Sequence, residues 1–218
     1  WHAPNKVYME LQQLTRERDQ IVAERSAIKN QLHAETIQAK PNTNSVRRLK
    51  ERIAFLNRQE KEIKGEIDVI IDNNEDVKKE IKNIISIPGI GKLTAVIVLA
   101  ETNGFELIRN KKQLTSYAGL DVKEKQSGTS VRGKPRISKK GNRSLRKAMY
   151  LPSLSAVKYD ENFKGQYVRI VSKHGIKKKG LIAVQRKMLE LIYTLFKNKT
   201  VYDKNYESKK SSAKILVA

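Results

Sequence analysis

The chain has 218 residues, 39% of them hydrophobic, with 45 Lys or Arg against 23 Asp or Glu and a formal net charge of +22. That length fits one or two modest domains, and the absence of cysteine excludes disulfides and thiolate zinc sites and fits a reducing cytoplasm. No apolar run approaches the roughly 18 residues of a membrane span, and no signal-peptide pattern opens the chain.

The charge is unevenly placed. Residues 1–86 carry a net charge of +2 and residues 87–218 a net charge of +20. A nearly neutral first part and a polyanion-binding second part are expected, with nucleic acid as the first choice of polyanion. The chain opens on Trp1 rather than Met, which is compatible with a trimmed form or with a missing upstream domain.

Two helical patterns fill the first part. Val7, Leu11, Leu14, Ile21, Ile28 and Leu32 recur at spacings of four and three, with Arg18 and Arg25 at seam positions. After a break at Lys40-Pro41-Asn42-Thr43-Asn44, a second pattern runs Leu49, Ile53, Leu56, Glu60, Ile63, Ile67, Ile70, Asn74, Val77, Ile81, Ile84. The 3.5-residue spacing predicts an antiparallel coiled-coil hairpin over 1–85, its second helix longer than its first. Arg18, Arg25, Glu60 and Asn74 read as register devices, or as places where a partner helix enters, so a homo-oligomer is expected through this seam.

The second part begins with IPGIGKLTAVIVLAE, whose helical period breaks at Thr102-Asn103-Gly104. A short helix is predicted over 110–118, closed by Gly119. Residues 120–142 read as a loop or short hairpin. Helices are predicted over 143–158, 161–173 and 181–197, and the basic tail 201–218 is predicted to be disordered.

Ile87-Pro88-Gly89-Ile90-Gly91, with Ala95 four residues on, fits a helix-hairpin-helix. Gly89 and Gly91 would permit a tight turn, and amides opening the next helix would hold a phosphate oxygen beside Lys92. Such a contact positions DNA without reading its sequence. The alternative is a tight turn with no ligand.

Residues 123–142, KEKQSGTSVRGKPRISKKGN, hold seven Lys or Arg and one acid. Gly128 and Gly133 allow close backbone approach, and Arg132, Lys134, Arg136, Lys139 and Lys140 are suited to phosphates. A serine in this setting is suited to attack phosphorus, with Ser127, Ser130 and Ser138 competing for the role. The bland reading is a solvated basic loop. Farther on, Asn142 is a predicted N-cap, and Arg143, Arg146 and Lys147 share a helix face that is either DNA-facing or solvated. The nine acids of residues 87–218 form no recognisable set of metal ligands.

The ordered segments IPGIGKLTAVIVLAE, QLTSYAGL, QSGTSVRG and ISKKGNRSLRKAMY resemble the C-terminal domain of the bacterial IS110/IS116/IS902 insertion-sequence transposases and the related Piv DNA invertases. The resemblance covers about residues 86–200, and the helices before it look like that family's linker. It implies a recombinase whose serine nucleophile lies at Ser127. It also implies a separate RuvC-like domain with an Asp-Glu-Asp-Asp magnesium set, and in many members a structured bridge RNA. That metal domain is not in this sequence, so the expected chain is mainly α and binds DNA and a guide RNA. It supplies the serine from the bacterial cytoplasm, associated with the nucleoid, and needs its magnesium from elsewhere. The alternative is a catalytically inert nucleic-acid-binding remnant.

Overall fold

In a computed structural model the described residues are 5–106, 108–127 and 131–206; at 125–127, 131, 132, 134 and 135 the backbone alone is described. Among them the chain forms nine helices and a two-stranded antiparallel sheet, in two compact units, 1–75 and 76–218.

The first unit is a helical hairpin. Helix α1 spans Lys6–Thr36 and α2 spans Thr43–Asp72. Each start is capped by an asparagine: Asn5 Oδ1 accepts from Val7 N, and Asn42 Oδ1 accepts from Ser45 N. Such caps satisfy amides that a helix start leaves unpaired. The helices run antiparallel, since Arg18 meets Glu60 while Arg25 meets Asn57. Leu11, Ile21 and Ile28 face Leu56, Ile63 and Ile67 in the buried seam. Tyr8 and Thr15 are buried in α1, whereas Val7 and Leu14 are only half-buried. Thr15 tolerates burial because its hydroxyl donates to Leu11 O at 2.8 Å.

Within the buried seam Glu60 receives Arg18 at 2.8 Å, Lys64 at 2.9 Å and Arg25. Burial pushes the Glu60 carboxyl up. The hydrogen bonds from Lys64 and Arg25 and the charges of Arg18 and Lys64 outweigh that and hold its pKa at about 2. Three of the four polar seam residues, Arg18, Arg25 and Glu60, are thus one ion cluster inside this hairpin.

The second heptad run is not one helix. It stops at Asp72, with Asn73 as C-cap, and the Asn74 amide donates back to Ile70 O at 2.7 Å. Asparagine competes for backbone groups in this way and favours helix ends. The expectation of a longer second helix is therefore overturned: α2 has 30 residues and α1 has 31. A separate helix α3, Glu75–Ile85, carries Val77, Ile81 and Ile84 into the second unit's core.

That core is built around α4, Lys92–Glu101, which is buried on nearly every side. Helix α5 is Lys111–Tyr117; strands β1, Val122–Ser127, and β2, Val131–Ile137, pair as a hairpin. Helices α6, Arg143–Ala148, and α7, Tyr150–Tyr159, replace the single helix predicted over 143–158, with a turn at Met149 between them. Helix α8 is Glu161–His174 and α9 is Lys177–Asn198. Between α4 and α5 the chain turns through three successive left-handed residues, Asn103, Gly104 and Phe105. That conformation is costly for Phe105 and is held by its burial against Tyr193 and Phe196 of α9, at ring distances of 5.4 and 5.0 Å.

Residues 201–206 differ from the disordered tail expected there. Tyr202 N donates to Ser86 Oγ at 2.8 Å, and its hydroxyl donates to buried Asp160, the N-cap of α8. Burial raises the Tyr202 phenol above its ordinary pKa. No described helix is long and apolar enough to cross a membrane.

Candidate nucleic-acid interface and serine hairpin

The turn between α3 and α4 closes by Ile90 N donating to Ile87 O at 3.1 Å, and Gly91 stands at the N-cap of α4 without a side-chain cap. The two glycines play different parts. Gly89 has φ +90, and a Cβ there would lie 2.6 Å from Pro152 O and 2.9 Å from Ala156 N of α7. Its freedom serves close packing of the turn against α7. Gly91 has nothing within 4 Å of a built Cβ. Gly89→Ala is therefore expected to cost about 1–3 kcal/mol from backbone strain alone. Gly91→Ala should change stability by less than about 1 kcal/mol. Urea unfolding of the two variants checks both values.

The basic segment forms the β1–β2 hairpin, which was one of the two predicted alternatives. Its register pairs Lys123 with Arg136, Lys125 with Gly133, Gln126 with Arg132 and Ser127 with Val131, with an irregularity between Lys123 and Lys125. Like charges thus stand directly opposite at Lys123 and Arg136, a destabilising arrangement for an isolated sheet. Residues 122–124, 133 and 136 are exposed. A two-stranded ribbon of this kind is marginal in water.

Ser127 ends β1 at the tip of this ribbon, about 17 Å along the strand from Val122. Only its backbone is described, as for Arg132 and Lys134, and Gly128 and Ser130 lie outside the described residues.

The other end of the ribbon is tightly fixed. Ser138 N donates to Asp121 O at 2.9 Å, and Ser138 Oγ donates to Asp121 Oδ1 at 2.5 Å. Lys139, in the left-handed region at φ +54, sends its amide to Gly119 O. Asn142 N donates to Tyr117 O at 2.7 Å, and the Tyr117 hydroxyl donates to Glu101 O. Gly119 and Gly141 both take positive φ, and a Cβ on Gly119 would lie 2.6 Å from Lys140 O. Close backbone approach leaves no room there for a side chain.

Two predicted DNA contacts turn inward here. Asn142 is the N-cap of α6 as predicted, accepting from Leu145 N at 3.0 Å. Its amide nitrogen also donates to buried Glu101 at 2.7 Å. Arg146 Nη1 donates to Ala118 O at 2.8 Å and to Gly141 O and Asn142 O at 3.3 Å. Through these bonds Asn142 and Arg146 clamp the base of the ribbon. Lys92, Arg136, Lys139, Lys140, Arg143 and Lys147 remain exposed. Sequence reasoning missed Glu101 altogether. Its signal was a lone carboxylate closing the apolar run Val96-Ile97-Val98-Leu99-Ala100, where a buried acid needs partners.

Asn142→Ala removes both a cap and the Glu101 partner. A loss of about 2 kcal/mol is expected in thermal or urea unfolding.

The family described as Transposase IS116/IS110/IS902 matches residues 81–168. Residues 81–168 of the chain are thus similar to the transposases of that family. The pilin gene-inverting protein of Moraxella bovis is 32% identical over 123 residues, 56% of this chain and 38% of the relative. The insertion element IS110 uncharacterized 43.6 kDa protein of Streptomyces coelicolor is 28% identical over 120 residues, 55% of this chain and 29% of the relative. An insertion element IS900 uncharacterized 42 kDa protein of Mycobacterium paratuberculosis is 24% identical over 139 residues, 63% of this chain and 35% of the relative. The chain therefore spans well under half the length of these relatives. The matched segment contains the glycine turn, the serine ribbon and its clamp, and it ends within α8.

Proposed function

We propose that this chain holds DNA and supplies the serine nucleophile in transposition or site-specific recombination, with Ser127 as that serine. The observation that carries the reading is the ribbon itself. Within the family-matched segment it sets cation against cation, is anchored at its base, and brings Ser127 to its tip. The exposed cations Arg136, Lys139, Lys140 and Arg143 grip phosphates on either side of the attacked bond, with Arg132 and Lys134 on the same ribbon. Lys92 and the amides opening α4 form a second, sequence-independent phosphate contact in a helix-hairpin-helix arrangement.

In the step assigned to Ser127, its Oγ forms a bond to phosphorus as the bond from phosphorus to one deoxyribose oxygen breaks. The serine proton passes to a general base and the departing deoxyribose oxygen takes up a proton. In the rejoining step a deoxyribose hydroxyl of the exchanged strand attacks the same phosphorus, and the Ser127 oxygen leaves and is reprotonated. The phosphoserine link keeps the energy of the broken bond, so rejoining needs no external source. No three His, Asp or Glu side chains among the described residues converge as metal ligands. The magnesium implied by the family resemblance therefore finds no ligand set among them, and no step here passes through it. A structured guide RNA is a second polyanion of the right chemistry for the basic surface, and a second copy of the chain is the proposed partner of the helical hairpin.

Ser138 is the rival nucleophile, favoured by one observation: its hydroxyl already donates to a carboxylate, Asp121. In the present reading that bond ties the two strands at the ribbon's base.

The test supplies an intact relative's remaining domain in trans and looks for a covalent protein–DNA adduct. Ser127→Ala is expected to abolish the adduct while changing duplex affinity by less than about threefold. An adduct of undiminished yield in Ser127→Ala overturns the assignment.

A further inference from the structure

From residue 162 to 189 the chain carries eight Lys or Arg and no Asp or Glu. Most of this stretch lies beyond the family-matched segment, which ends at 168. Helix α8 presents Lys164, Gly165, Val168, Arg169, Ser172 and Lys173 on one exposed face, at spacings of three and four. Lys177, Lys178 and Lys179 continue the charge directly beyond the left-handed turn at Gly175. Lys164 has an exposed partner in Glu161. Arg169, Lys173 and the three corner lysines form no ion pair among the described residues.

Two features set this face apart from an ordinary solvated one. The first is rigidity: a Cβ on Gly180 would lie 2.8 Å from Val171 and 2.9 Å from Tyr167, so α9 closes tightly onto α8 and fixes the row. The second is Gly165. It lies inside α8, where glycine weakens a helix relative to alanine. Neither its φ nor any neighbour requires it, since a Cβ there meets nothing within 4 Å. An exposed glycine amid a row of cations leaves space for another backbone to come close.

We infer that the exposed face of α8 and the lysine corner after it form a second DNA-binding surface, separate from the serine ribbon, that holds the phosphate backbone of a double helix. The inference rests on the DNA-binding reading given above. The row from Lys164 to Lys173 is about 13 Å long. That length matches about four phosphates of one strand, at 3.4 Å of axis each. The contact is with phosphates alone, so it lengthens the bound site without adding sequence preference.

The test is fluorescence anisotropy of the full chain with a labelled random-sequence DNA duplex of about 30 base pairs across a salt series. Arg169→Gln, Lys173→Gln and Lys178→Gln together are compared with Lys29→Gln, Lys40→Gln and Lys50→Gln, which remove the same charge from the first unit. The α8 set is expected to lower the salt slope by about 2 to 3, and the control set by less than 1. Gly165→Leu is expected to weaken duplex binding by about tenfold, a factor corresponding to 1.4 kcal/mol, with helical circular dichroism unchanged. Equal slopes for the two triple variants overturn the proposal, as does an effect confined to an RNA duplex of the same length. If removing Arg136, Lys139 and Arg143 lowers the slope while the α8 set does not, this surface fails and the ribbon reading stands. If the unaltered chain binds no duplex at low salt, both fail.

Discussion

Glu60→Ala is expected to destabilise the helical hairpin by about 3–5 kcal/mol, because it strands buried cations. Arg18 and Arg25 are each only 19% exposed at the side chain, and Glu60 is the acid they share. The carboxylate's pKa falls from 4.5 to about 2 on folding, which corresponds to about 3 kcal/mol. The sign follows from that depression. The contribution is complete above about pH 5 and is lost as pH falls through 4.5 toward 2. Glu60→Gln should therefore be much less stable than the unaltered chain at pH 7, and the gap should narrow steadily by pH 2.5. Urea unfolding followed by helical circular dichroism at several pH values measures it. A gap that stays constant from pH 7 to 2.5 would show that the charge of Glu60 contributes nothing.

Arg146→Ala is expected to cost about 2 kcal/mol and to cut adduct formation far more than DNA affinity. The guanidinium satisfies three carbonyls, those of Ala118, Gly141 and Asn142, and each loses a donor in the variant. Lysine does not restore the clamp, because a point charge on a flexible stem cannot replace a planar fork. The ribbon then swings on a loosened base, and Ser127 at its tip loses alignment with the phosphate. Duplex affinity, carried by exposed cations elsewhere, should change by less than about threefold. A direct DNA contact by Arg146 gives the opposite pattern: unchanged stability and a shallower salt slope.

What could be read in the sequence was periodic or local. The seam Leu11, Ile21, Ile28 against Leu56, Ile63, Ile67 followed from heptad spacing, and Gly119, Gly175 and Asn142 marked helix boundaries through their own backbone chemistry. The break at Asn73 and Asn74 was hidden because the apolar period continues through it into α3. The clamping bonds of Arg146 were not legible because spacing says which residues share a helix face, not which way a long side chain turns. Its shortest bond goes to Ala118 O, from a chain segment 28 residues earlier. Tyr202 was missed for a related reason: a Lys- and Ser-rich tail hides one aromatic that stacks on Phe163. In the ribbon, the charge and the small residues were evident, but the opposition of Lys123 to Arg136 required the register.

The most direct test of the central claim is to trap the protein–DNA adduct formed with the trans-supplied domain, digest it, and locate the nucleotide-bearing serine by mass spectrometry. The account expects the modification at Ser127, the last residue of β1. Modification at Ser138, whose hydroxyl is bonded to Asp121, or at Ser130 would contradict it.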